Sequence, residues 1–212
     1  MPSTTFLNLP AEKRAKLLSA AIREFSQRPF NEASINQIIK DAGISRGSFY
    51  MYFRDKEELF CYLLRQHLDT VVQILQQLLV QTRGDIFAAL LRLYDYIRDE
   101  EHPQTRGDIG ALQAILYRNR GMQKSSVLGM LNPEEFLDRL ASSVDRTQLN
   151  LKPGEEPAEM LGVLLSVTMP ILYSGLQQEK NDRDRLKHIL DILRRGMGRP
   201  CSAALTANTE GD

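Results

Sequence analysis

Residues Ser34 to Leu59 read SINQIIKDAGISRGSFYMYFRDKEEL, and the spacing inside this stretch decides the fold. Ile35, Ile38, Ile39 and Ala42 recur at helical intervals, and Ser34 with Gln37 three residues on has the spacing of a capping box. Gly43 suits the left-handed conformation that follows a helix, and Ser45 can then cap another helix two residues later. Two short helices with so tight a turn between them make a helix-turn-helix candidate. In a helix from Ser45 to Tyr52, Phe49 and Phe53 lie four apart and share a face with Ile44, which packs this helix on Ile35, Ile38 and Ile39. The opposite side shows Arg46, Gly47, Ser48, Tyr50 and Met51, a mixture of one charge, small residues and one aromatic that a solvated face has little reason to choose.

Upstream, Leu17, Leu18, Ala21, Ile22 and Phe25 predict a helix that starts after Pro10 and ends at Gln27-Arg28-Pro29. Downstream, Asp55 with Glu58 opens an apolar-rich run from Leu59 to Leu79 that ends near Gly84, one helix of about seven turns. Further helices are expected at 85–100, 107–121, 133–148, 157–180 and 183–197, with breaks at His102-Pro103, Gly121, Asn132-Pro133, Lys152-Pro153-Gly154 and Asn181-Asp182. No stretch alternates with period two for long enough to propose a strand. The expected fold is all-α with about nine helices: residues 8–54 a three-helix domain, 55–197 a larger helical domain, and 198–212 a small, polar, disordered tail.

The chain has 212 residues, 27 Lys+Arg against 27 Asp+Glu, 42% hydrophobic residues, two cysteines and no tryptophan. These values exclude collagen-like repetition and disorder throughout. Cys61 and Cys201 are too few for a disulfide scaffold and fit a reducing cytosol. The start, MPSTTFLNLP, lacks a basic segment followed by an apolar one, and the apolar stretch Met160 to Leu176 is interrupted by Ser166, Thr168, Pro170 and Ser174. A soluble, cytoplasmic protein with no membrane partner is expected. Residues 1–60 hold 9 basic and 7 acidic residues, whereas residues 61–212 hold 18 and 20. That mild asymmetry permits a DNA-facing N-terminal part without requiring one.

From about residue 10 to residue 60 the sequence resembles the DNA-binding domain of the tetracycline-repressor (TetR) family of bacterial regulators. The residues behind the resemblance are Ala42-Gly43-Ile44-Ser45, Gly47, Phe49-Tyr50, Tyr52-Phe53 and Lys56-Glu57-Glu58-Leu59. The resemblance implies that the side of the third helix opposite Phe49 and Phe53 enters the major groove of operator DNA. Arg46, Gly47 and Ser48 then match the sites nearest the base edges, and Tyr50 and Tyr52 match positions that reach phosphate or a thymine methyl. Met51 shares this side; Ser34, at the start of the second helix, and Lys56, at the start of the fourth, match phosphate-contact positions. The chemistry suits these roles, since arginine pairs with guanine O6 and N7, a serine hydroxyl donates or accepts, and glycine lets the backbone come close. Plainer roles stay open beside them: Ser34 and Ser45 as caps, Tyr50 packed under the first helix, Lys56 paired with an acid.

No catalytic constellation is visible, so neither an enzyme nor a metal or cofactor is expected; His67, His102 and His188 lie in different segments without metal-ligand spacing. The resemblance further implies a C-terminal domain that binds a small molecule and forms a homodimer through its last two helices. Tyr62, His67, Tyr94, Gln113, Tyr117, Thr168 and Tyr173 are polar or aromatic in apolar surroundings and are candidates to line a pocket, though each can equally be a satisfied core or surface group. For the dimer, the apolar helix 157–180 offers Leu161, Leu165 and Leu172, and the next offers a stripe of Leu186, Ile189, Leu190 and Leu193. The expected function is a homodimeric repressor released from a palindromic operator by a ligand. The alternative is a helical ligand-binding or interaction protein whose helix-turn-helix is scaffold only.

Overall fold

The computed structural model describes residues 2–98, 110, 115–116, 118–119, 133–174 and 182–198. Most of the described residues are helical, and no strand occurs among them. The helices are α1 (Thr4–Leu7), α2 (Ala11–Gln27), α3 (Ile35–Ala42), α4 (Arg46–Tyr52), α5 (Lys56–Gln81), α6 (Ile86–Arg98), α7 (Pro133–Ala141), α8 (Pro157–Ser174) and α9 (Arg183–Met197). The chain divides into two compact units, one containing Met1–Ile74 and Tyr96–Phe136, the other Leu75–Asp95 and Leu137–Asp212. The division falls inside α5, between Ile74 and Leu75.

The first unit has an aromatic core. Phe25, Phe49, Phe53 and Phe60 are buried with Leu17, Ile38, Leu59 and Leu63, and Ile35, Ile39 and Ile44 pack on this cluster. Phe6, in the short helix α1 ahead of the expected bound at residue 8, belongs to the same core with no exposure. Four residues, TTFL, are too short to show helical periodicity, which is why the pattern missed them. At the other end of the chain segment, Asp55 Oδ1 accepts from Glu58 N at 2.7 Å and starts α5.

In the second unit Asp85 caps α6, its Oδ1 accepting from Phe87 N at 3.0 Å and Ala88 N at 3.1 Å. The helix expected over 133–148 stops at Ala141. There Ser142 Oγ turns back to Arg139 O at 2.7 Å, and Asp145 Oδ1 takes Thr147 N at 2.9 Å to cap a separate 3-10 turn, Arg146–Gln148. Helix α8 continues through Pro170. Leu161, Leu164 and Leu172 of α8 and Leu186 and Leu190 of α9 are buried. Arg183 of α9 pairs with Asp95 at 2.7 Å, and Arg194 pairs with Asp85. Most of the expected helix 107–121, the end of 157–180 and the tail beyond Gly198 lie outside the described residues.

Candidate nucleic-acid interface

Helix α3 begins with half of the expected capping box. Ser34 Oγ accepts from Gln37 N at 3.4 Å, but Gln37 Nε2 donates to Asp41 Oδ1 at 2.8 Å and does not reach back. Ser34 N is instead satisfied by Glu24 Oε1 of α2 at 2.8 Å, so a buried carboxylate supplies what the local residue does not. The helix ends at Gly43, φ 68°, where Gly43 N donates to Lys40 O and Ile44 N to Ile39 O at 3.1 Å. Ser45 Oγ then accepts from Ser48 N at 3.0 Å and lies 2.9 Å from Ser48 Oγ, which opens α4. Both serine hydroxyls are thus tied into the cap.

Phe49 and Phe53 turn inward and anchor α4, as their spacing predicts. The opposite face is open: Arg46 and Gly47 are exposed, Tyr50 is 46% and Met51 61% exposed. Two large apolar side chains standing in solvent on one short helix suit contact with a partner surface better than water. Arg46 is already steered, since its Nη1 donates to Asn36 Oδ1 of α3 at 3.3 Å and its Cζ lies 5.8 Å from the Tyr50 ring centroid. Gly47 has room for a close approach, a Cβ there meeting nothing nearer than Ser45 Oγ at 3.8 Å.

Two expected positions sit differently. The Tyr52 ring is half-buried, 6.1 Å from Phe6, and so belongs to the side of α4 that packs. Lys56 Nζ donates to Ala33 O at 2.8 Å and Asn31 O at 3.4 Å and stands 4.7 Å from the Phe30 ring centroid. Burial lowers the Lys56 pKa, with Glu24 opposing. Its carbonyl contacts hold the turn between α2 and α3, with the Glu24 carboxylate near enough to act on its charge. Asn36 was missed because its pairing with Arg46 spans ten residues and two helices. The only signal for it was its place in the first turn of α3.

Of the residues considered for a ligand pocket, Tyr62 is taken up by the first unit: its ring lies 5.4 Å from Phe6 and 5.8 Å from Phe53, and its Oη accepts from Gln66 Nε2 at 2.8 Å. His67 is buried, and burial pushes its pKa down to about 4. Tyr94 is buried in the second unit, and Thr168 Oγ1 donates to Leu164 O of its own helix at 2.8 Å. Gln113, Tyr117 and the side chain of Tyr173 lie outside the described residues. Burial also pushes the Cys61 thiol up to about 11, helped by Glu57 and Asp55, so it holds little thiolate near neutral pH.

Of the residues expected at a dimer contact, Leu161, Leu172, Leu186 and Leu190 are buried within the chain itself, while Leu165, Ile189 and Leu193 are partly exposed. The large apolar side chains left in solvent on these helices are others: Val163 at 56% and Val167 at 40% on α8, and Ile192 at 47% on α9. An apolar stripe read from sequence does not distinguish the face turned to the chain's own core from one turned to a second copy.

The comparisons with known proteins agree with this geometry. Residues 17–63 match the family model described as bacterial regulatory proteins, tetR family. The HTH-type transcriptional regulator YdgC of Bacillus subtilis is 40% identical over 70 residues, 33% of this chain and 36% of its own, so the match spans about a third of that relative's length. The HTH-type transcriptional repressor AcnR of Corynebacterium glutamicum is 26% identical over 187 residues, 87% of this chain and 92% of its own. Among solved structures, NalD of Pseudomonas aeruginosa, described as the secondary repressor of the MexAB-OprM multidrug efflux pump, aligns with a TM-score of 0.60 at 18% identity, covering 90% of this chain and 98% of that one. At that identity it shares the fold. With its helix-turn-helix and the buried Phe49 and Phe53 that anchor it, the segment 17–63 of this chain is a helix-turn-helix segment of the tetR family of bacterial regulatory proteins.

Proposed function

We propose that this chain is a homodimeric DNA-binding regulator of transcription, a repressor that leaves a palindromic operator when a small-molecule effector binds, and that it works in the cytoplasm. The observation that carries this reading is the exposed face of α4, where Arg46, Gly47, Tyr50 and Met51 stand opposite a buried Phe49 and Phe53. A rigid anchor behind and a mixed polar and apolar face in front are what base-edge reading in a major groove needs. Phosphate contacts fall to the N-termini of α3 and α4 and to Lys56, whose Nζ two carbonyls hold in place. Repression is favoured by AcnR, a repressor similar over most of this chain's length. Among the described residues no helix is long and apolar enough to cross a membrane, in keeping with a protein that meets chromosomal DNA.

A dimer is supported by Val163, Val167 and Ile192, exposed apolar residues on two helices that a second copy can cover. Coupling to an effector follows from differential affinity for two states, typically about 1–3 kcal/mol, or roughly 5- to 150-fold in DNA affinity. Selection of bound sequences from a pool of random duplexes tests the proposal. Enrichment of an inverted repeat, with binding that weakens steeply as salt rises, is the expected result. Absence of any salt-dependent binding to duplex DNA would leave the helix-turn-helix as scaffold.

A further inference from the structure

Helix α1 is a single turn, too short to persist by its own hydrogen bonds, yet Phe6 within it is fully buried. It is held at both ends. Arg14 Nη1 of α2 donates to Leu7 O at 3.1 Å, and Ser3 at the other end bonds to α4. A helix of seven residues leaves its last carbonyls without donors of its own. Ser3 N donates to Tyr52 O at 3.0 Å, and Ser3 Oγ donates to Met51 O at 2.6 Å. The same Oγ accepts from Phe6 N at 3.2 Å, so one hydroxyl joins the start of α1 to the end of α4. Phe6 closes the contact, its ring 4.7 Å from Phe53 and 6.1 Å from Tyr52.

We propose that residues 3–6 brace the DNA-reading helix from outside, and that Ser3 is a positioning residue for sequence recognition. The proposal rests on the reading of α4 given above. Tyr50 and Met51 occupy the last turn of α4, the part that Ser3 closes. If that turn frays, the two side chains must be ordered again at the base edges, and this entropy is lost from specific binding. Binding to phosphates alone makes no such demand on the turn. Ser3 therefore acts on the preference for one sequence over another.

Ser3→Ala and Ser3→Thr separate this role from general stability, since threonine keeps a hydroxyl at the same place. In the DNA-free protein, amide hydrogen exchange at residues 49–53 is expected to be about fivefold faster in Ser3→Ala, the factor of the one side-chain hydrogen bond lost to α4, and unchanged in Ser3→Thr. Affinity for the duplex recovered by selection should fall about fivefold in Ser3→Ala, affinity for a scrambled duplex of equal length should not change, and Ser3→Thr should restore the ratio. Parental exchange in Ser3→Ala would overturn the brace. Equal losses on both duplexes, or no loss on either, would overturn the positioning role. Should the parent protein itself recover no duplex, the DNA-reading assignment of α4 fails, and Ser3's part in it fails too, before any variant is compared.

Discussion

In the function proposed above, sequence preference turns on Arg46, whose guanidinium donates to Asn36 and lies beside the Tyr50 ring before DNA arrives. A planar donor held in place loses less freedom when it pairs with guanine. Arg46→Ala is expected to lower operator affinity by about 1–3 kcal/mol and to relax preference at one position of each half-site, read by binding to single-base-pair variants. Asn36→Ala should relax the same position by a smaller amount. The double variant should cost less than the two singles together, and strict additivity would show that Asn36 does not work through Arg46. Arg46 was legible in the sequence as a lone charge on a very short helix; Asn36 was not, because a contact between helices leaves no mark on either pattern. His67 gives a prediction of a different kind. Its pKa is about 4 in the folded chain and about 6.5 when unfolded, so between these values the unfolded state binds a proton that the folded state refuses. Stability should rise with pH through that window and fall by about 3 kcal/mol on acidification from pH 7 to pH 4. Urea unfolding at both pH values should show this part of the loss disappear in His67→Gln.

Helix ends were legible where the side chains that close them are neighbours in sequence, as with Ser45 and Ser48 or Gly43 after Ala42. They were not legible where the closing group comes from elsewhere, as with Glu24 at Ser34 and Ser3 at Tyr52. The expected helix 133–148 failed for a related reason, since Ser142 and Asp145 fit the helical spacing yet use their side chains on nearby backbone. Two glycines test these turns. Gly43 has φ 68° and only the flexible tip of Lys16 near a would-be Cβ, at 3.4 Å. Gly43→Ala should cost about 1 kcal/mol, mainly from the left-handed backbone. Gly84 has φ 80° and a would-be Cβ 2.5 Å from Asp145 N, a backbone atom that itself bonds to Gly84 O at 3.1 Å. Gly84→Ala should cost roughly 2–4 kcal/mol, since the chain at residue 145 must move as well. Denaturant titration should rank Gly84→Ala below Gly43→Ala, and the reverse order would contradict the contact at Asp145.

For the whole molecule, the helix-turn-helix was readable from the stretch Ser34 to Leu59, and the helical class from the periodicity that continues on either side of it. Residues for the proposed contact between two copies were less so, because burial inside one chain and burial between two look alike in a list of leucines. Within the single chain Leu190 is buried and Val167 is exposed, so substitutions at the two positions test the two kinds of burial apart. Leu190→Glu places a charge in the chain's own interior and should unfold it, whereas Val167→Glu charges an exposed position and should give a folded monomer. Light scattering with circular dichroism distinguishes these outcomes; an intact dimer in Val167→Glu would put the contact elsewhere. The central claim is that two copies of α4 read neighbouring major grooves on one face of the duplex. Such a dimer spaces its half-sites by about one helical turn, roughly 34 Å. The most direct measurement is the affinity for the selected duplex after insertion of about five base pairs, half a turn, between its half-sites. The account predicts that tight binding is lost and only salt-sensitive, sequence-independent binding remains; an affinity unchanged by the insertion would contradict paired reading by a dimer.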